Sequence, residues 1–182
     1  AIIPTRPVQR PAPVVERLAE VLRVRRQLSN AKVAAENAAG MLENAVLKRL
    51  SRRHIARLAA DINMLDEHLV ESIGADPALA HRYRLLTSMP GVGPVLACTL
   101  IALLPELGRM SRNQVAAMVG VAPYAFESGK LKGKRCIWGG RAPVRHVLYM
   151  AALSACNWNP VLKVFHHRLA ATGKLPKVVI VA

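Results

Sequence analysis

The sequence predicts an all-α, mostly helical protein in two parts: a long helical hairpin or coiled-coil arm, then a compact helical domain carrying one small β-hairpin or loop. Three observations predict it. Apolar residues recur in steps of three and four along two long stretches before residue 74. Residues of the helix-start and helix-stop type punctuate the remainder, and a single segment, 124–138, loses helical period.

Residues 1–13 contain Pro4, Pro7, Pro11 and Pro13. Each proline removes a backbone donor and drives its predecessor to extended geometry, so this stretch reads as a linker. The arm, 14–77, opens with a helix from Val14 to about Ala39, where Val14, Leu18, Val21 and Leu28 keep heptad-compatible spacing although Arg25 and Lys32 fall on the same seam. Gly40 is the expected turn. A second helix, from Met41 to Ile73, is marked by Ile55, Leu58, Ile62, Leu65 and Leu69 and extended by Leu47, Leu50 and Ile73. A stripe of that length needs cover, from the first helix folded back antiparallel or from a second copy of the chain. Lys48, Arg49, Arg52, Arg53 and Arg57 cluster early on this helix and mostly off the stripe; a solvated face is the commoner reading and a nucleic-acid contact the alternative.

Gly74-Ala75-Asp76-Pro77 ends the arm, and the second domain occupies 78–182. Arg82 to Met89 reads as a short helix, Pro90-Gly91-Val92-Gly93-Pro94 as a tight turn, and Val95 to Leu104 as a buried apolar helix. Ser111 and Gln114 have the capping-box spacing and open a helix that Gly120 stops. After segment 124–138, helix resumes at Ala142, with Pro143 tolerated in its first turn, and runs to about Cys156. A further helix spans Pro160 to about Ala171. The β-branched run Val178 to Val181 favours a strand on propensity.

With 26 Lys+Arg against 11 Asp+Glu the chain carries a formal charge of +15, an excess that attracts a polyanion by counterion release. Nucleic acid is the first candidate. No stretch reaches the roughly 18 apolar residues of a membrane span, and the N-terminal residues lack the order of a secretory signal, so a cytoplasmic location is expected. Aromatic residues make up only 4%, too few for a base-stacking module, so contacts should run through phosphates. Cys98, Cys136 and Cys156 share no zinc-ligand spacing and read as buried small apolar residues, and adjacent His166 and His167 diverge by about 100° on a helix, too far to share a metal.

Two segments carry chemistry. In a helix-hairpin-helix, a Gly-x-Gly turn admits a phosphate without Cβ clash and the next helix offers its first N–H groups, which fits Gly91, Val92 and Gly93; an ordinary helix–helix turn is the alternative. In 124–145, Ser128-Gly129 lies among Lys130, Lys132, Lys134, Arg135, Arg141 and Arg145. A serine attacks a phosphodiester when its hydroxyl is activated and the developing charge is stabilised, and these cations would supply that field; a plain turn is the alternative.

The run from Leu86, with its PGVGP turn, LGRMSRNQVAAMVGVAP, the SG pair, GKRCIWGGR and VRHVLYMAALSA, resembles the C-terminal domain of the DEDD-type serine transposases, the insertion-sequence family related to the Piv invertase. The resemblance covers about half the chain, and the helices before it look like the family's coiled-coil region. It implies DNA transposition by serine recombination, with Ser128 as the nucleophile that joins DNA phosphate. It also implies an N-terminal RuvC-like domain whose acidic residues bind Mg2+. That domain is expected to precede Ala1, so no metal ligand is assigned here, no cofactor is expected in this part, and the part alone is expected to be inactive. Expected partners are DNA, a structured bridge RNA and further copies of the chain through the arm; no membrane is expected. From other classes, a non-catalytic helix-hairpin-helix DNA-binding module and a helical oligomerisation or RNA-assembly protein remain open.

Overall fold

The computed structural model of the chain describes residues 12–125, 127, 128, 131–133 and 135–182, with backbone alone at Glu127, Ser128, Leu131 and Lys132. The linker expectation for residues 1–11, and the candidate cations Lys130 and Lys134, lie outside the described residues. The described part is mostly helical, as its sequence predicts, and divides into two compact units with the boundary between Ser72 and Ile73.

The first unit holds α1 (Pro13–Gly40) and most of α2 (Ala45–Gly74). Pro13 occupies the first turn of α1, where its missing N–H costs nothing. The second helix starts at Ala45 rather than the expected Met41 because Asn44 caps it, its side-chain Oδ1 accepting from Val46 N at 2.8 Å and Leu47 N at 3.3 Å. Arg25, the charged residue on the α1 seam, forks the carboxylate of Asp66 on α2 through Nε and Nη2, which ties the two helices together. Leu22 and Leu69, one turn from that pair on either helix, are buried. Lys32, the other seam charge, pairs along its own helix with Glu36 at 3.0 Å.

The second unit contains α3 (Pro77–Thr87), α4 (Pro94–Leu103), α5 (Arg112–Val119), α6 (Ala142–Trp158), α7 (Pro160–Ala171) and α8 (Pro176–Val181). Helix α3 begins five residues earlier than expected: Asp76 is its N-cap, accepting from Ala78 N and Leu79 N, with Pro77 following at N1. Helix α4 is apolar all round and buried from Leu96 to Ala102, so it serves as the axis of the unit. Its one buried hydroxyl, on Thr99, donates to Val95 O at 2.7 Å. Leu96, Leu100, Leu104, Val119 and Val144 form the central cluster, drawn from α4, α5 and α6.

The capping box at Ser111 and Gln114 is formed in both directions, and Gly120 ends α5 in the left-handed conformation with φ +82°. The terminal run corrects the strand expectation: residues 176–181 are helical. Pro176 presets the first turn, Val178 N and Val179 N donate to Leu175 O, and Val179 is buried where α8 packs on α6 and α7. That packing outweighs the β-branched propensity. The cysteine expectation is corrected in part, since Cys98 is buried but Cys136 is exposed.

Between α5 and α6 the chain makes four two-residue strands, β1 (Pro123–Tyr124), β2 (Glu127–Ser128), β3 (Leu131–Lys132) and β4 (Cys136–Ile137). They pair antiparallel as two nested ladders, β1 with β4 and β2 with β3.

Candidate functional site

Ser128 lies on the inner ladder, its backbone opposite Leu131, while Pro123 and Tyr124 pair with Ile137 and Cys136 nearer the helices. The serine is therefore carried at the far end of a β ribbon. Two residues separate the ladders on the outgoing strand, 125 and 126, and three on the returning strand, 133–135, so the register shifts by one residue between them. A shift of this kind increases twist and bends a ribbon. Lys132 is on β3, one residue beyond Leu131, and Arg135 is exposed just before β4.

The root of the ribbon is held by groups that the sequence marks as cationic or glycine-rich. Gly139 and Gly140 both have positive φ, +72° and +71°. A Cβ on Gly140 would fall 2.3 Å from Gly120 N, and one on Gly120 would fall 2.1 Å from Gly139 O, so the α5 C-cap and the returning strand touch backbone to backbone. Arg141 N donates to Met118 O at 2.7 Å across the same junction. The Arg145 guanidinium Nη1 donates to Gly139 O at 2.5 Å and Val119 O at 3.2 Å, tying the returning strand to the last turn of α5. A cation belongs there, because the final carbonyls of a helix carry partial negative charge.

Arg141 faces the other way. Its guanidinium forks the Glu106 carboxylate at 2.7 and 2.6 Å and donates to Leu103 O at 2.7 Å. The hydrogen bonds from Arg141 hold the Glu106 carboxyl below its ordinary range despite partial burial, and Glu106 in turn raises the guanidinium. Two of the arginines counted as phosphate contacts are thus engaged with protein acceptors. Spacing could not have shown this, since Glu106 and Val119 lie 35 and 26 residues away along the chain.

The glycine turn joins α3 to α4, and its two glycines differ. Gly91 has φ +98°, and a Cβ there would meet the Ala155 Cβ at 2.5 Å, so its open face is already filled by α6. Gly93 has φ −86° and ψ 174°, with nothing within 4 Å of its Cβ position. It is the N-cap of α4, has no side-chain cap, and is exposed beside Pro94. Val92 between them is half-buried against the central cluster. Asn159, buried and not singled out in the sequence, locks the turn: its Nδ2 donates to Pro90 O at 3.1 Å while its Oδ1 caps α7.

The turn and the ribbon root therefore both rest on α6, at opposite ends. Ala155 and Arg145 are ten residues apart, about 15 Å along a helix axis. The five cations of the arm, Lys48, Arg49, Arg52, Arg53 and Arg57, are all exposed and form no ion pair among the described residues. A cavity of about 300 Å³ between α5, α6 and α8 is lined by apolar groups with Arg112, Arg145 and Tyr149, and holds no carboxylate, histidine or thiol. Among the described residues there is no group of three or more His, Cys, Asp or Glu able to hold a metal ion, so the side chains described here do not fit one.

Residues 83–167 match the Transposase IS116/IS110/IS902 family. The matched segment takes in the Gly91–Gly93 turn, the ribbon and all of α6. Over 140 residues, 75% of the chain, the sequence is 29% identical to the pilin gene-inverting protein of Moraxella bovis and 27% identical to that of Moraxella lacunata. The chain spans 44% of the length of each. No helix among the described residues is long and apolar enough to cross a membrane.

Proposed function

We propose that the chain is the strand-exchange half of a DNA transposase or invertase, in which Ser128 is the nucleophile. The observation that supports this reading is the match of residues 83–167 to the Transposase IS116/IS110/IS902 family, a segment whose Ser128 sits at the end of a ribbon rooted in the helical unit. The Ser128 hydroxyl oxygen attacks a DNA phosphorus, the P–O bond to the leaving deoxyribose oxygen breaks, the serine proton passes to a base and the leaving oxygen takes up a proton. Attack by the hydroxyl of a new strand reverses the sequence and frees the serine.

Lys130, Lys132, Lys134 and Arg135 would stabilise the phosphorane charge and hold the flanking backbone. Gly93 and the uncapped start of α4 would take a second phosphate. Mg2+ would belong to the RuvC-like half that the resemblance implies. A structured RNA partner fits a protein with +15 charge and few aromatic residues, which grips backbones and leaves sequence reading to base pairing. Assembly of copies would use the arm, where Leu47 and Leu50 near the hairpin turn are 48% and 53% exposed. A protein acting on DNA in this way would work in the cytoplasm.

Trapping tests the assignment: in the complete protein, a DNA adduct should form and map to Ser128. A non-catalytic DNA-binding module, favoured by the open Gly93 end of α4, would bind DNA and form no adduct.

A further inference from the structure

We propose that Arg145 is a positioning residue for strand exchange: it sets the direction of the β ribbon, and so the location of Ser128, by gathering the carbonyls of the α5 C-terminus and the returning strand onto one guanidinium. This rests on the role proposed for Ser128 and goes beyond it. The ribbon is built from two-residue ladders, and an isolated hairpin of that size is marginal in water, so its direction is set at its root. There Arg145, fixed on the first turns of α6, reaches Gly139 O and Val119 O, and the Gly120–Gly140 contact leaves no room for the strand to settle elsewhere.

The lever is long. Five residues from Pro123 to Ser128 span at most about 17 Å, so a tilt of about 10° at the root displaces the serine by up to about 3 Å. Reacting atoms need to be held within about 0.5 Å, so such a tilt removes in-line attack while leaving backbone contacts made by long lysines intact. Both bonds come from one nitrogen, Nη1, held in place by the planar guanidinium; a lysine ammonium on its flexible stem would meet the same two carbonyls without that fixed placement.

The test compares, in the complete protein with its nucleic-acid partners, the parental sequence, Arg145→Lys and Gly140→Ala, the last opening the same junction by a different route. Each is measured for DNA affinity, melting temperature, amide exchange at Tyr124, Cys136 and Ile137, and the rate of Ser128 adduct formation at saturating DNA. The expected result is an adduct rate lowered about 30-fold or more by Arg145→Lys, with affinity within about 2-fold of parental, and faster exchange in the ribbon while α4 stays protected. A merely structural arginine would lower the melting temperature and leave the rate of the folded protein unchanged. Parental adduct rate or parental ribbon exchange in Arg145→Lys overturns the proposal. Absence of any adduct in the parental protein overturns the role of Ser128 instead, and the exchange measurement still decides whether Arg145 holds the ribbon.

Discussion

Gly120 and Gly140 cross backbone to backbone, with the space for a Cβ on Gly140 lying 2.3 Å from Gly120 N. One glycine ends α5 and the other precedes α6, so this contact joins the helical body to the only β structure among the described residues.

That contact sets the first prediction. Gly140→Ala adds strain at positive φ to a backbone overlap and should destabilise by about 2–5 kcal/mol, whereas Gly139→Ala, also at positive φ but with nothing within 4 Å, should cost about 1–2 kcal/mol. Urea melts of the two variants check the difference. Equal costs would mean that the strand slides away from α5 freely.

The glycine turn makes a parallel contrast. Gly91→Ala should destabilise, since its Cβ would press on Ala155, while Gly93→Ala should leave the melting midpoint nearly unchanged. If a phosphate is taken at the start of α4, Gly93→Val should weaken DNA binding with native circular dichroism retained. Unaltered affinity would remove the turn from the interface.

The Arg141–Glu106 fork gives a pH signature. Glu106 is held below its ordinary range by its hydrogen bonds from Arg141, so it binds protons less readily folded than unfolded. Its stabilisation is present above the unfolded carboxylate range and is lost as pH falls through the depressed native value. The pair is more than one-third exposed, which limits the effect to about 1 kcal/mol or less. Urea melts between about pH 7 and pH 3 should show a shallower acid loss for Glu106→Gln than for the parental chain.

Binding to DNA should fall steeply with salt and show little sequence preference in this part of the protein, because its free cations address phosphates. Replacing Arg49, Arg52 and Arg53 together by glutamine should lower affinity and reduce the salt slope by about 2–3. Titrations at several salt concentrations check this, and a slope that stays parental would return those residues to a solvated face.

Most helices were legible because their ends are written locally: Ser111 with Gln114, Gly120, Pro143 and Pro160 each act within one turn of themselves. The misplaced ends have equally local causes of a kind easily read two ways, as Asp76 shows by capping α3 where Asp-Pro also suits a helix stop. The 178–181 run went astray because burial against α6 and α7 is a tertiary fact. At the site, the segment and its glycines could be read from the sequence. The inward turn of Arg141 and Arg145 could not, since a cation in a basic run looks the same whether its acceptor is a phosphate or a carbonyl folded back from residue 103 or 119.

Ser128 is proposed to take the DNA phosphate. The most direct measurement is mass-spectrometric mapping of the covalent DNA adduct formed by the complete protein with its nucleic-acid partners, alongside Ser128→Ala. An adduct is expected at Ser128 and none in Ser128→Ala, with DNA binding retained. An adduct on Tyr124 or Ser154, both exposed, or on Ser111, whose hydroxyl already caps α5, or recombination at the parental rate by Ser128→Ala, would contradict it.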